Sequence, residues 1–209
     1  MELEQELKKA LEELRKTEPR KFDQTVDLIV NLQKFNIKKD NVNTFVTLPH
    51  TIKKKKIAAF LEVENKDVDT ITPDDFKKYS DKKVVKKLVD KYDFFIGQAS
   101  LMPKVATVFG RALGPAGKMP SPQLGIIANA DEKTLIALKD RVDKSAKIRV
   151  KEVSIKLAIG KQSMKDEDII ENVMTVYNAL MKVLPRERDN MKNIEIKFTM
   201  TKPKKIYLK

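Results

Sequence analysis

The sequence has no cysteine, no tryptophan and a single histidine, His50. The absence of cysteine excludes a disulfide framework and thiolate catalysis. With one histidine and no cysteine, the chain has no second histidine or cysteine to complete a metal cluster or a catalytic triad. No apolar stretch approaches the ~18 residues that cross a bilayer. We therefore expect a soluble, intracellular protein that is not an enzyme, uses no metal or cofactor and does not bind membranes.

Glycine and proline are scarce outside one stretch. Of six glycines and nine prolines, four of each lie between Ser100 and Gly125. The run "ALGPAGKM" lacks the first glycine and the hydroxyl of a P-loop, and G-x-G-x-x-G is absent, which argues against a nucleotide enzyme. Because glycine and proline shape long loops, we predict a functional loop over 110–125. Its Arg111 and Lys118 suit contact with a phosphate backbone; alternatively, the loop packs on its own domain and both cations are solvated.

Positive charge dominates the composition. The formal net charge is +13, with 43 Lys and Arg against 30 Asp and Glu. A strongly basic chain attracts polyanions, so nucleic acid is the first candidate partner and an anionic membrane the second. The alternative is a highly charged surface that serves solubility or heat resistance.

The N-terminal segment has the pattern of one helix followed by two half-buried strands. Apolar residues recur at helical spacing in "ELEQELKKALEELRKT", which predicts a helix that ends before Pro19. "FDQTVDLIVNL" alternates from Phe22 to Leu32, and "NVNTFVTLP" alternates from Val42 to Leu48. Alternation of this kind predicts strands with one buried face.

The pattern of apolar and polar residues changes at Ile57, directly after a basic run from Lys53 to Lys56. Short runs that are apolar on both faces, "IAAFLEV", "DFFIG" and "GIIA", alternate with helical patterns. Such runs are typical of parallel strands covered by helices. We therefore predict an inserted three-layer α/β, Rossmann-like domain over 65–158.

The C-terminal segment returns to the alternating and helical patterns of the N-terminal segment. "VSIKLAIG" predicts a strand, and "NIEIKFTM" predicts another that alternates from Ile194 to Met200. Between them, "SMKDEDIIENVMTVYNALMKVL" predicts a helix with an acidic first turn. Its inward residues are predicted to be Ile169, Val173, Val176, Leu180 and Leu184. The simplest architecture is an α+β terminal domain, split β-α-β-like and built from 1–64 and 159–209, with the α/β domain inserted.

Three features near the strand ends suit a nucleic acid. In "GKQS" (160–163), backbone N–H groups and Lys161 can receive a phosphate, although Ser163 is alternatively just a helix cap. Phe22 beside Lys21 can stack on an unpaired base, although an apolar residue on an alternating face is more often core. The last strand presents lysine and threonine, which suit a sugar-phosphate backbone; a solubilising basic tail is the alternative.

Five segments in a defined order carry a resemblance to a known family. They are "KFDQTVDLIVNL", "TFVTLPH", "MPKVATVFGRALGPAGKMPSP", "IKLAIGKQSM" and "FTMTKPKKIYLK". Over nearly its whole length the chain resembles the L-one family of large-subunit ribosomal proteins, and "TMTKP" resembles its archaeal branch. The resemblance implies a two-domain cytoplasmic ribosomal protein, monomeric when free, that binds the large-subunit rRNA of the mobile stalk. It also implies contact with exit-site tRNA, whose release such a protein assists, and repression of translation through its own mRNA.

The resemblance further implies which residues contact RNA. These are Lys21, Phe22, Asp23, Gln24, Thr25, Lys156, Gly160, Lys161, Ser163, Thr199, Met200 and Thr201, with Lys202 as an additional charge. The chain departs from many members at Ala116 and Ser121, and Thr201 with Lys202 replaces a bacterial Gly-Pro pair. We expect shape readout, in which a rigid polar sheet surface matches the 2′-hydroxyls and backbone of folded RNA.

Two other classes of function make different predictions. A Rossmann-type enzyme would bind a nucleotide, and a DNA-binding repressor would prefer duplex DNA, although no helix-turn-helix pattern is present. Asp74 and Asp75 follow "TP" and are interpreted as a helix start with Thr72 as its N-cap, not as catalytic acids.

Overall fold

The computed structural model of the chain describes residues 2–18, 20–37, 39–40, 42–66, 68–79, 81–128 and 131–206. The helices and strands in chain order are α1 (Glu2–Arg15), β1 (Thr25–Leu32), β2 (Asn43–Thr47), β3 (Ile57–Phe60), β4 (Asp69–Ile71), α2 (Lys82–Lys91), β5 (Phe94–Gln98), α3 (Met102–Ala116), β6 (Ile126–Ile127), α4 (Glu132–Asp143), β7 (Ser145–Arg149), β8 (Ser154–Lys161), α5 (Asp166–Val183), β9 (Met191–Phe198) and β10 (Lys204–Ile206). Short 3-10 helices cover Pro73–Tyr79, Ala99–Leu101 and Glu187–Asn190. The sheets are parallel and antiparallel, so the fold is mixed α/β. Within the described residues, no helix has the length and apolarity to cross a membrane.

The contacts within the chain divide it into two compact units. The first unit comprises 1–52 and 144–209, and the second comprises 53–143. The predicted boundaries, 64/65 and 158/159, lie further along the chain. The difference arises because β3 pairs with strands of the second unit, whereas β7 and β8 pair with strands of the first. Independent folding of the two units stays a prediction.

An antiparallel sheet in the order β10-β9-β1-β8 lies in the first unit. Every second residue of β1 from Val26 to Leu32 is buried, and β9 repeats this alternation from Ile194 to Phe198. These residues share one core with the apolar stripes of α1 and α5. All five residues predicted to point inward from α5 are buried. The predicted helices and alternating strands are therefore confirmed, except that β1 begins after Phe22 and β9 ends before Met200, and both of these residues are exposed.

Three short strands have no counterpart in the sequence prediction: β4, β7 and β10. β7 pairs with β2 in a two-stranded antiparallel sheet, with Ser145 opposite Thr47 and Arg149 opposite Asn43. Across this pair, the Lys147 ammonium lies 5.1 Å from the centre of the Phe45 ring. Short lysine-containing strands are stabilised mainly by their pairing partners, so their own patterns predict them poorly.

A parallel sheet in the order β4-β3-β5-β6 lies in the second unit. Neighbouring residues of a strand face opposite sides of the sheet, and here both sides are buried. Phe60 and Phe95 pack in one apolar cluster with α2 and α3, while Ala59 and Ile96, on the opposite side, are also fully buried. The prediction of parallel strands from these apolar runs is confirmed.

The stretch from Ser100 to Gly125 is mostly helical, so the predicted loop over 110–125 is wrong for its first part. α3 continues through both of its glycines to Ala116, and the chain turns at Gly117, which has a φ of 70°. The buried residues of α3 recur at every fourth position: Val105, Phe109 and Leu113. This apolar stripe holds the helix in the core and outweighs the poor helix propensity of glycine and proline.

Thr72 begins the 3-10 helix over Pro73–Tyr79, as predicted. Its hydroxyl donates to Asp75 Oδ2 at 2.9 Å, and the Asp75 backbone N–H donates to the Thr72 carbonyl at 3.0 Å. Hydrogen bonds from Lys78 and Thr72 lower the pKa of the Asp75 carboxyl. The structure therefore places Asp75 in the first turn of this helix, as the helix-start interpretation predicts.

Candidate nucleic-acid interface

Three chain segments meet at one end of the antiparallel sheet. β1 begins at Thr25, opposite Lys161 at the end of β8, and Val26 lies opposite Phe198 at the end of β9. Because neighbouring strands are antiparallel, the start of the central strand lies between the ends of its neighbours. We call the surface formed by 21–25, 160–163 and 199–202 the strand-end surface.

Two threonines order the end of β9. The Thr199 hydroxyl accepts from the Thr25 N–H at 3.0 Å, and the Thr199 N–H donates to the Thr25 carbonyl at 3.1 Å, which extends the β1–β9 ladder beyond the last strand residue. The Thr201 hydroxyl accepts from the Phe198 N–H at 2.9 Å. Both hydroxyls therefore have partners within the chain, and their first effect is to hold the turn between β9 and β10.

Gln24 connects the three segments from a buried position. Gln24 is only 1% exposed. Its amide Nε2 donates a hydrogen bond to Gln162 Oε1 at 3.2 Å. Its Oε1 accepts from the Met200 N–H at 3.0 Å, and its carbonyl accepts from the Gln162 N–H at 2.8 Å. The family resemblance implies an RNA contact at Gln24; in the structure this residue is a buried brace behind that surface.

The turn over 160–163 is held by side chains from other segments, and this corrects two interpretations. The Ser163 N–H and hydroxyl both donate to the Asp23 carboxylate, at 3.0 and 2.9 Å. The N-cap residue of α5 is Lys165, so Ser163 is not the helix cap. The N–H groups of Gln162 and Ser163 are already used within the chain, so they are not open to a phosphate. The Lys161 ammonium, which donates to Thr25 Oγ1 at 3.0 Å, is the remaining donor of the predicted cradle.

Gly160 allows β8 to pack closely on α5. A Cβ at this position would lie 3.0 Å from Ile169 Cγ1 and 3.6 Å from Met164 Sδ. The residue is buried in the first unit. Close packing therefore favours glycine here, and the position supports the strand-end surface without being exposed on it.

Exposed cations and two apolar side chains complete the strand-end surface. Lys21 and Lys202 are exposed, and neither has a hydrogen bond or an ion pair with any described residue. Phe22 is 51% exposed and Met200 is 60% exposed. The interpretation of Phe22 as core is therefore wrong, because this residue precedes β1 and lies outside its buried alternation. An exposed aromatic beside free ammonium groups suits an unpaired base and its phosphate.

Arg15 supports the turn and was not predicted to do so. Its guanidinium donates to the carbonyls of Gln162 and Met164 at 2.9 and 2.8 Å and to Asp166 Oδ1 at 2.7 Å. As the basic residue of the last turn of α1, Arg15 also suits the helix dipole. Its partners lie 147 to 151 positions away in the chain, so no local pattern could have revealed them.

Lys156 is separate from the strand-end surface. It pairs with Ile29 in mid-strand, and its Nζ lies 3.7 Å from Glu152 Oε2. Lys161 is five positions further along, roughly 16 Å along a strand. The polar face of the sheet also carries Asp27, whose pKa is raised by burial, while Lys197 and Lys161 oppose that shift. The structure thus places Lys156 on the sheet face and not with the other predicted contacts.

Arg111 and Lys118 differ sharply in the second unit. Arg111 is exposed on α3, and its side chain makes no hydrogen bond or ion pair among the residues the structure describes. The Lys118 ammonium donates to the carbonyls of Val89 and Tyr92, at 2.7 and 2.8 Å, and so caps the C-terminus of α2. The lysine of "GPAGK" is therefore not a merely solvated cation, because it stabilises the preceding helix.

His50 is held in a structural arrangement. Its Nε2 lies 2.7 Å from Glu171 Oε2, and Asn172 binds both its backbone N–H and its carbonyl, at 3.0 and 3.1 Å. Over the described ranges, no group of three or more His, Asp or Glu side chains has the arrangement of a metal site.

Comparisons with known proteins point to one family. The model of the ribosomal protein L1p/L10e family matches residues 14–202. The chain is 36% identical to large ribosomal subunit protein uL1 of Nanoarchaeum equitans, over 89% of this chain and 92% of the relative. It is 36% identical to the uL1 of Pyrobaculum islandicum, over 94% and 90%, and 35% identical to that of Methanobrevibacter smithii, over 94% and 96%.

Proposed function

The chain belongs to the ribosomal protein L1p/L10e family, and from this premise we propose that it binds folded large-subunit rRNA through the strand-end surface. The single observation that carries this proposal is the convergence of three distant segments on one exposed, cationic surface. Membership of a ribosomal protein family also agrees with the expectation that the chain is not an enzyme.

The proposed mechanism separates residues that touch RNA from residues that hold the surface. Lys21, Lys161 and Lys202 supply positive charge to the phosphate backbone, which raises affinity and the rate of encounter. Phe22 and Met200 offer exposed apolar surface to an unpaired base.

The supporting residues keep that surface in one conformation. Gln24, Asp23 and the hydroxyls of Thr199 and Thr201 are engaged within the chain. A surface already ordered before binding loses less conformational entropy when it meets RNA. This frame suits recognition of RNA by shape, because its atoms are fixed relative to one another before contact.

The further roles rest on the family resemblance. We propose that the rRNA target is the mobile stalk of the large subunit in the cytoplasmic ribosome, and that the bound protein assists release of deacylated tRNA from the exit site. We also propose that the free protein is a monomer that represses translation by binding a similar structure in its own mRNA. Arg111 is the residue we propose for a second RNA contact, since Lys118 is engaged by α2.

The test is binding of a stalk rRNA fragment to the full chain and to two double variants. Replacing Lys21 and Lys202 by Gln is expected to weaken binding about tenfold or more and to lower the slope of log affinity against log salt by about two. The matched control replaces Lys8 and Lys151, two exposed lysines elsewhere in the first unit, and is expected to change affinity less than about twofold.

The same measurements separate this function from its alternatives. Equal losses in both double variants, or wild-type affinity that stays constant between about 50 and 200 mM salt, would contradict the proposed surface. Competition by duplex DNA would favour a DNA-binding repressor, and thermal stabilisation by a nucleoside triphosphate would favour an enzyme. Footprinting of the rRNA then identifies the bound nucleotides, and competition by a fragment of the protein's own mRNA tests repression.

A further inference from the structure

The helices α2 and α3 of the second unit pack side by side and leave an apolar groove between them, which lies outside the strand-end surface. We propose that this groove is a binding site for a small molecule that has a flat apolar ring system and one carboxylate. The groove has a volume of about 720 Å³. This volume lies in the range of small-molecule sites, which are mostly apolar and contain a few polar groups that orient the ligand.

Each helix places an apolar row along the groove. Residues four positions apart lie on the same face of a helix. The row on α2 consists of Val85 and Val89, and the row on α3 consists of Val108, Ala112 and Ala116. The two valines of α2 are buried, whereas Val108 is 37% exposed and Ala112 is half-buried. The small alanine side chains keep the α3 wall low, so a flat ring can lie between the helices.

The groove is bounded by contacts within the second unit. Tyr79, which ends the 3-10 helix before α2, lines the groove, and its ring centre lies 5.5 Å from that of Phe109 in α3. Two residues beyond the end of α3, the Lys118 ammonium donates to the carbonyls of Val89 and Tyr92 and ties the C-terminal ends of the helices together. The groove is therefore formed before any ligand binds. Because aromatic rings pack well against one another, Tyr79 favours a ring in the ligand.

Next to each apolar row, a polar row forms the rim of the groove. It consists of Lys86 and Asp90 on α2 and of Thr107 and Arg111 on α3. The Thr107 hydroxyl donates to the Pro103 carbonyl of its own helix at 3.0 Å. The three charged side chains are exposed and make no hydrogen bond or ion pair with any described residue. The guanidinium donors of Arg111 are therefore available to a ligand.

The charges of the rim favour a ligand with a single carboxylate. Lys86 and Asp90 lie one turn apart on α2 and offset each other, so the site does not depend on an excess of positive charge. The Arg111 guanidinium is a planar fork whose parallel N–H groups match the two oxygens of a carboxylate. Asp90 repels a second anionic group on the ligand. The sugar-phosphate backbone of a nucleic acid would suit the cations but would leave both apolar rows uncovered.

The test follows the methyl NMR signals of the full chain during titration with 1-naphthoate and with 1-naphthamide, its neutral isostere. 1-Naphthoate is expected to give saturable shifts at the methyl groups of Val85, Val89, Val108 and Ala112. Arg111→Gln is expected to weaken 1-naphthoate binding about tenfold, because it removes the charged fork, and to change 1-naphthamide binding less than about twofold.

Two further variants test the shape of the groove and the specificity of the effect. Ala112→Leu fills the space between the helices and is expected to abolish saturable binding of both probes. The matched control, Lys104→Gln, changes an exposed lysine of α3 outside the groove lining and is expected to bind both probes like the parent chain. Thermal melts check that all three variants are folded.

Shifts that do not saturate, or an equal loss of both probes in Arg111→Gln, would overturn the proposal. Shifts of the same methyl groups by a short single-stranded RNA but not by 1-naphthoate would also overturn it, since the groove would then accept a nucleotide. Arg111 is also the residue proposed for a second RNA contact, but the probes contain no phosphate. The Lys21→Gln, Lys202→Gln variant is expected to keep the groove site, so failure here and failure of the rRNA surface are distinguishable.

Discussion

The strand-end surface and the stretch from Ser100 to Gly125 both carry residues that the sequence predicts to contact RNA, and the structure uses them differently. At the strand ends, distant segments meet and expose Lys21, Phe22 and Lys202. In the other stretch, a helix is held by its apolar stripe and Lys118 caps its neighbour. The comparison shows that the candidate binding surface is formed where polar residues from distant segments meet in space. The cluster of glycine and proline, in contrast, coincides with the end of a helix.

The same contrast extends to how each region is stabilised. The strand-end surface is held by side-chain hydrogen bonds between segments, with Gln24 at their centre. The second unit around α3 is held by apolar packing, in which the Phe109 ring lies 5.0 Å from Phe60 and 5.2 Å from Phe76. Substitutions of the two kinds are therefore expected to separate stability from RNA affinity.

Removing the Phe109 ring is the largest expected perturbation. Phe109→Ala empties a fully buried site and is expected to cost about 3–5 kcal/mol of stability, measured by chemical denaturation. Affinity for the rRNA fragment is expected to stay within about twofold where the variant is folded, because the strand-end surface lies in the other unit. The control is Val108→Ala at a 37% exposed neighbour. If Phe109→Ala lost as much RNA affinity as the Lys21 and Lys202 double variant, the second unit would have to take part in binding the rRNA fragment.

Removing the buried amide of Gln24 tests the opposite region. Gln24→Leu leaves the Met200 N–H and the Gln162 amide without their partner, and is expected to cost about 1–3 kcal/mol of stability. RNA affinity is expected to fall as well, although the residue is not exposed, because the turns that carry the cations lose their brace. Gln123→Leu, at an exposed position, is the control for the loss of an amide. Normal affinity in Gln24→Leu would show that the network does not order the surface.

Lys118 and Arg111 form the next comparison, within one region. Lys118→Gln removes an ammonium from the carbonyls of Val89 and Tyr92 and is expected to cost about 1–2 kcal/mol of stability. Arg111→Gln is expected to leave stability unchanged, since the arginine is exposed. Thermal melts measure both. If Arg111→Gln also leaves binding of tRNA and of the rRNA fragment unchanged, the second RNA contact proposed for Arg111 is wrong.

The smallest expected effect comes from Asp27 on the polar sheet face. Burial raises the pKa of its carboxyl, so its ionisation destabilises the fold above the ordinary value of 3.8 and not below it. Asp27→Asn is therefore expected to be more stable than the parent chain at neutral pH. The difference should shrink as the pH falls through the raised pKa. Denaturation at several pH values measures it, with the exposed Asp140→Asn as control; a difference that grows toward acid would contradict the assigned cause.

The periodic patterns predicted those parts of the fold in which one element carries its own signal. The alternation in β1 and β9 and the apolar stripe of α5 each repeat often enough to identify an element and its buried face. β7 and β10 have five and three residues and carry lysines, so their pairing depends on neighbours that the pattern does not name. The full length of α3 is not predicted, because its glycines and proline have poor helix propensity although its buried residues repeat at helical spacing.

For the candidate site, the sequence predicted the segments better than the role of each residue. The resemblance named residues in all three segments of the strand-end surface, and the structure brings those segments together. Phe22 is exposed, although phenylalanine on an alternating face is usually buried in the core. Gln24 is buried, although the resemblance implies that it contacts RNA. No local pattern identifies Arg15, which holds the turn, because its partners are distant in the chain.

The sequence by itself determined the family, the excess of positive charge and the elements whose apolar residues repeat, because each of these is a property of composition or of neighbouring residues. The tertiary structure alone decided which polar side chains face the solvent and which brace the surface. Gln24 hydrogen-bonds to Gln162 and Met200, which lie 138 and 176 positions away, and a partner at that distance is chosen by the packing of the sheet and not by any local pattern.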